Sequence, residues 1–238
     1  MSNRPVAVIT GATGGIGRAI VDRLAPEFDV FALGRNHVLL GELDTLNGVR
    51  AVRCDLVDEL LNAASVAGLQ EVLALPRVDV LVHAAAVGHR LSVELAEPAQ
   101  WREMLDLNVV VPAELTRRLL PALRRSEGTV VFINSGAGNG AHPGTTVYTA
   151  TKHALRGLAD SFRKEEAAAG VRVSGIAPGP TDTSMLRGIV ESAGGVYTPE
   201  HYIDPAEVAA AVHLAVSAGP TTQLTDIAVR PRIELADR

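Results

Sequence analysis

Short apolar runs alternate with longer helical patterns along all 238 residues, and this rhythm constrains the fold more than any other feature. Candidate strands lie at 6–10, 30–33, 49–54, 78–83, 128–134, 171–177 and 226–230. They are rich in β-branched residues and bounded by Gly, Asp or Pro, as buried strands are. Helical stretches lie between them at 16–24, 58–75, 100–125, 147–169 and 205–217. Strands separated by helices are joined by right-handed crossovers into a parallel sheet. The pattern therefore predicts an α/β fold, a Rossmann-like doubly wound sheet with helices on both faces. With aromatics at only 3%, the core has to be built from Ala, Val, Leu and Ile, which suits a sheet buried on both sides.

No linker, repeat or low-complexity tract divides the sequence, so one domain over 1–238 is expected. The segment 178–204 has no clear periodicity and carries Gly188, Gly194 and Gly195. Such a stretch in a compact domain is usually functional, and an active-site lid at about 180–204 is predicted. A net charge of −5 argues against nucleic-acid and anionic-membrane partners. Cys54 is the only cysteine, so no internal disulfide can form and a reducing compartment is expected. The sequence shows no signal-peptide pattern, and its apolar segments are shorter than the roughly 20 residues needed to span a bilayer. The cytoplasm is the expected location.

The first strand runs into Thr10-Gly11-Ala12-Thr13-Gly14-Gly15-Ile16-Gly17, and a helix follows. Glycines there tighten the turn, let backbone N–H groups approach a pyrophosphate and let helix pack on strand. The helix N-terminus adds unpaired donors and partial positive charge. The turn is not a P-loop, because Arg18-Ala19 stands where Lys-Ser/Thr would be needed. A strand–helix turn that binds nothing is the plain alternative. At the end of the second strand an NAD site carries a carboxylate for the ribose 2′-hydroxyl. Here Gly34-Arg35 stands there instead, which leaves room for a 2′-phosphate and offers a guanidinium to pair with it. This favours NADP(H) over NAD(H), with a solvated Arg35 at the start of the next helix as the alternative.

Tyr148 and Lys152 lie one turn apart on one helix face, where an ammonium can favour the phenolate. Such pairs also arise by chance. Ser135, just past the fifth strand, occupies the strand end at which open α/β sheets bind ligands.

Taken in order, Thr10-Gly11…Gly15-Ile16-Gly17, Asp55-Leu56, Asn108, Ser135, Tyr148-x-x-x-Lys152 and Pro178-Gly179…Thr183 resemble the short-chain dehydrogenase/reductase family over essentially the whole chain. The resemblance implies seven parallel strands in the order 3-2-1-4-5-6-7. It implies that Tyr148 exchanges the proton with the substrate oxygen, and that Lys152 lowers the Tyr148 pKa and bonds the nicotinamide ribose. Ser135 would orient the substrate oxygen, and Asn108 would anchor a water linking Lys152 to solvent. Gly11, Thr13, Gly14, Gly15, Ile16, Gly17, Gly34 and Arg35 would hold the cofactor, with Asp55 at the adenine and Leu56 beside it. Ala84 and Ala85 would contribute backbone contacts, and Pro178, Gly179, Thr181 and Thr183 would approach the nicotinamide amide and phosphates. Where the family has Asn-Asn-Ala-Gly after strand four, this chain has His83-Ala84-Ala85-Ala86, which removes amides that brace the sheet. No His/Cys/carboxylate cluster has ligand spacing, so no metal is expected.

The expected activity is hydride transfer between nicotinamide and a ketone, aldehyde or hydroxy-acid substrate, by a carbonyl reductase or alcohol dehydrogenase. The partner is then a small molecule, and the family resemblance adds a homodimer or homotetramer formed through the helices at 100–125 and 147–169. The competing readings are an NADP(H) redox sensor without turnover, and an epimerase or dehalogenase on the same scaffold. An intact glycine turn and acid–base set weigh against both.

Overall fold

The structure is a computed structural model that describes residues 4–62 and 66–234. Seven strands form one parallel sheet: β1 (Val6–Thr10), β2 (Asp29–Gly34), β3 (Val49–Arg53), β4 (Val80–His83), β5 (Thr129–Ile133), β6 (Arg172–Pro178) and β7 (Asp226–Val229). Their order is β3-β2-β1-β4-β5-β6-β7, as expected. In register, Val8 lies beside Phe31 of β2 and Leu81 of β4.

Side chains alternate between the two faces of the pleat. Ala7, Ile9, Val80, Val82, Val131 and Ile133 face one core. There they meet Ile20, Val21 and Leu24 of α1 (Gly15–Leu24), Leu40 and Leu43 of α2 (His37–Asp44), and Val208 and Val212 of α9 (Pro205–Val216). Val8, Leu81, Val130 and Phe132 face the other core, against α6 (Val111–Ser126) and α7 (Thr146–Glu165). Burying each such side chain contributes about 1.5–3 kcal/mol, so the two faces together fix the register of the sheet. The strand order reverses between β1 and β4, and open α/β sheets place their ligand cleft at the carboxyl ends of strands flanking such a point.

Four expected elements differ from the structure. The helix predicted over 58–75 is two short pieces, α3 (Leu56–Leu60) and α4 (Gln70–Leu73), and residues 63–65 of that prediction lie outside the described residues. The helix predicted over 100–125 is α5 (Pro98–Leu105), a π-helical turn at Asp106–Val110, and then α6. The helix predicted over 147–169 ends at Glu165 and tightens into a 3-10 turn at Ala167–Ala169. The segment 178–204 holds α8 (Ser184–Ser192) and a 3-10 turn at Pro199–His201. None of the α8 side chains is fully buried; its short apolar stripe of Leu186, Ile189 and Val190 is only half-buried.

Candidate active site

The glycine turn folds because each crowded position lacks a side chain. Gly11 adopts φ +66°, and a Cβ there would lie 2.7 Å from the Ala85 backbone. A Cβ on Gly17 would lie 2.1 Å from the Gly11 carbonyl oxygen, so only glycine brings α1 this close to its own turn. No side chain caps α1, and Gly14 at its N-cap leaves first-turn N–H groups facing the cleft. The residues fit a dinucleotide, because the turn presents bare backbone donors at the end of a long cleft of about 830 Å³. Gly11, Thr13, Gly14, Gly15, Ile16 and Gly17 line that cleft at one end, and Tyr148 and Lys152 at the other.

Most of the anticipated cofactor residues converge on it. Gly34, Arg35, Asp55, Leu56, Ala84, Ala85 and Thr183 line the same cleft. Thr13 packs where a Cβ on Gly34 would stand, 2.9 Å from its Cγ2. Arg35 is largely exposed, and its Nη1 lies 3.4 Å from Oδ2 of Asp55. The other Asp55 oxygen caps α3 by accepting from the N–H groups of Val57 and Asp58. Thr183 caps α8 by accepting from the Leu186 N–H at 3.2 Å.

Three expected residues are not on the cleft wall. Pro178 ends β6, and Gly179 lies under the C-terminal segment, where a Cβ would meet Pro231 at 2.9 Å. Thr181 is buried; its hydroxyl donates to the Gly179 carbonyl, and its backbone bridges to Ile203. These three pack at the start of the 178–204 segment and do not line the cleft.

At the candidate catalytic end, the Ser135 hydroxyl lies near enough to the Tyr148 phenol to favour its phenolate. Ser135 Oγ also accepts from the Ala137 N–H at 3.1 Å, which orients it past the end of β5. Lys152 is buried at 2% exposure, and its Nζ donates to the Ile133 carbonyl at 2.9 Å, 5.7 Å from the centroid of the Tyr148 ring. Burial pushes the Lys152 ammonium down to about 8. Burial pushes the Tyr148 phenol above its usual value, and the nearby Ser135 hydroxyl opposes this. The sequence suggested a phenol lowered by Lys152. In this geometry burial dominates the Tyr148 phenol, and the Lys152 Nζ is directed at the Ile133 carbonyl.

Asn108 lies in the π-helical turn and is 1% exposed, so it is not a helix-surface amide. Its Oδ1 accepts from the Val87 N–H at 2.9 Å, and its Nδ2 donates to the Val87 carbonyl at 2.9 Å and to Thr151 Oγ1 at 3.1 Å. Both amide protons are thus engaged with protein atoms. The side chain ties the segment after β4 to α7, one residue from Lys152.

The missing amides after β4 are replaced by other contacts. Thr10 Oγ1 accepts from the N–H groups of both Ala84 and Ala85 at 3.1 Å. His83 is buried, stacks on Phe132 with centroids 5.0 Å apart, and shares a 2.8 Å hydrogen bond with Thr116 through Nε2. Sequence reasoning overlooked Gly88 and Met185. A Cβ on Gly88 would lie 3.2 Å from the Tyr148 ring and 3.6 Å from the Met185 sulfur, so both close over the phenol. Among the described residues, no group of three or more His, Cys, Asp or Glu could hold a metal ion, and no helix is long and apolar enough to cross a membrane.

Comparison with known proteins gives a family. The family model described as short chain dehydrogenase matches residues 5–194. Glycine betaine reductase of Emericella nidulans is 30% identical over 240 residues; the match covers 96% of this chain but 19% of that longer protein. A putative short-chain dehydrogenase/reductase from Corynebacterium glutamicum is 43% identical, with a TM-score of 0.73 over 95% of this chain and 99% of that one. A putative NAD(P)-dependent gluconate 5-dehydrogenase from Beutenbergia cavernae, with bound NADP, is 30% identical, with a TM-score of 0.84 over 97% and 96%. The chain belongs to the short-chain dehydrogenase/reductase family of oxidoreductases.

Proposed function

We propose that the protein is an NADP(H)-dependent carbonyl reductase, working reversibly on a ketone, aldehyde or hydroxy-acid substrate. The observation that carries this reading is the buried Lys152, with its Nζ 5.7 Å from the centre of the Tyr148 ring, on a cleft that the glycine turn also lines. When bound, the nicotinamide supplies the hydride for the carbonyl carbon or accepts it from the alcohol carbon. Tyr148 delivers the proton to the substrate oxygen, and Ser135 holds that oxygen by a hydrogen bond. A phenol pushed above its usual pKa is protonated at neutral pH and so is ready to act as the acid in the reductive direction. As the proton leaves, Lys152 is the nearby cation that stabilises the phenolate, and it also bonds the cofactor ribose. Asn108 holds the Val87 segment and Thr151 in place, with a water between Lys152 and solvent as part of the proposal. Arg35, exposed beside Gly34, pairs with the 2′-phosphate after leaving Asp55. Pro178, Gly179 and Thr181 support the lid over the nicotinamide end. The active form is proposed to be a cytoplasmic homodimer or homotetramer built through α6 and α7. Nothing in the site favours a sensor without turnover.

Tyr148→Phe tests the chemistry. NADPH oxidation with a panel of ketones and aldehydes should fall about 10²–10⁴-fold, with cofactor binding retained. Full activity in that variant would refute the role. Arg35→Asp should shift preference towards NADH; an unchanged ratio of NADPH to NADH turnover would remove Arg35 from the cofactor site.

A further inference from the structure

Resting on the reductase reading, we propose that Arg90 binds a carboxylate of the substrate, which makes the natural substrates oxo acids and hydroxy acids rather than neutral ketones. The segment that carries Arg90 is fixed at three points. Asn108 binds both the N–H and the carbonyl of Val87. Gly88 lies flat against the Tyr148 ring. The Leu91 carbonyl accepts from the N–H of Thr146, the first residue of α7, at 3.1 Å. Between these anchors only His89 and Arg90 project, and both are exposed. The His89 Nε2 lies 3.4 Å from a Glu103 carboxylate oxygen. Among the described residues Arg90 makes no hydrogen bond or ion pair.

An exposed arginine is ordinarily just solvated. Arg90 differs because its backbone is held two residues from the glycine that touches the phenol. Its guanidinium also faces a second glycine: a Cβ on Gly144 would lie 3.7 Å from Nη2, and Gly144 has φ +76° just ahead of α7. Arg90 lines a hollow of about 780 Å³ beneath α8, together with Met185, Gly188 and Ile189. That hollow borders the cofactor cleft along its length, from Arg35 and Asp55 to Ala86 and Met185. A planar guanidinium matches a carboxylate with two parallel hydrogen bonds. A substrate with its carbonyl at Tyr148 can therefore reach Arg90 with an acid group on the same side. Asp55, Asp58, Glu103 and Asp106 also line this hollow; Asp55 is paired with Arg35 and Glu103 with His89, so a substrate carboxylate would have to lie against Arg90 and away from Asp58 and Asp106.

The test compares acetoacetate with acetoacetamide, which share a ketone and differ in charge, using NADPH and the whole protein. The wild type should have the lower KM for acetoacetate. Arg90→Leu should raise that KM about ten- to a hundredfold while leaving kcat, the acetoacetamide KM and the NADPH KM near their wild-type values. Arg90→Lys should recover part of the loss. Equal effects on acid and amide, or a raised NADPH KM instead, would overturn the proposal. A second arm measures the thermal shift given by malonate and by inorganic phosphate, with and without NADP. A malonate shift seen in wild type and lost in Arg90→Leu supports the carboxylate site even if no ketone turns over, in which case it is the reductase reading that fails. No malonate shift in wild type, an equal shift in the variant, or a response to phosphate alone overturns the proposal.

Discussion

Replacing His83 by glutamine should flatten the acid side of the protein's stability curve. His83 is 3% exposed, stacked on Phe132, and bonded to Thr116 through one nitrogen only. Burial pushes its imidazole from 6.5 down to about 3, so the folded protein holds it neutral. The unfolded chain takes up a proton below about pH 6.5 that the folded chain refuses until about pH 3. Stability is therefore lost progressively as pH falls through that window. Between pH 7.5 and pH 5 the linkage amounts to about 2 kcal/mol, or roughly 4–8 °C in Tm for a chain of this size. His83→Gln keeps a polar partner for Thr116 but does not titrate. At pH 7.5 the variant should be less stable by about 1–2 kcal/mol, through the altered hydrogen bond and lost stacking. Its further loss on moving to pH 5 should be smaller than that of wild type by about 2 kcal/mol. Glu114, held down to about 2 by Arg117 and Arg118, contributes stability above the ordinary carboxylate range and loses it below, so it interferes little above pH 5. Urea unfolding followed by far-UV circular dichroism at several pH values decides the matter. Parallel stability curves for the two proteins would refute a neutral, buried His83.

Gly88→Val should lower kcat while leaving NADPH affinity near wild type, because the new side chain meets the Tyr148 ring 3.2 Å away and the glycine turn is untouched; steady-state kinetics with separate cofactor titration checks this. Asn108→Asp keeps the acceptor for Val87 N–H but loses both donated hydrogen bonds. A stability loss of about 2–3 kcal/mol in denaturant unfolding should accompany reduced turnover.

The sheet was legible because its strands are buried on both faces and so read as apolar runs between turn residues. The glycine turn was legible because a tight turn that presents its backbone to a ligand has few alternatives to glycine. Ser135, Tyr148 and Lys152 could be placed from order and spacing, since a strand end and one helical turn bring them together. The helix α8 was overlooked although Met185, Leu186, Ile189 and Val190 recur at helical spacing, because the stripe is short and the segment around it holds Gly188, Gly194 and Gly195. The π-helical turn was hidden too, since an inserted residue within a helix changes geometry without changing composition. Thr181 was expected at the cofactor, and in this structure its hydroxyl donates to the Gly179 carbonyl. Gly88 and Arg90 carry significance only through what they face across the fold, and a linear reading has no access to that.

The last strand also sets the order in which this protein can become an enzyme during synthesis. The Arg230 guanidinium occupies the space a Cβ would take on Gly136, next to Ser135, and the Val229 carbonyl accepts from the Gly179 N–H. Ser135, Tyr148 and Lys152 leave the ribosome ahead of residues 226–230, on the order of ten seconds earlier at ordinary elongation rates. A nascent chain can thus shape its phosphate-binding end early while its catalytic loop lacks a backing. The glycine turn is a product of the first strands, and the proposed acid–base centre waits for the final one.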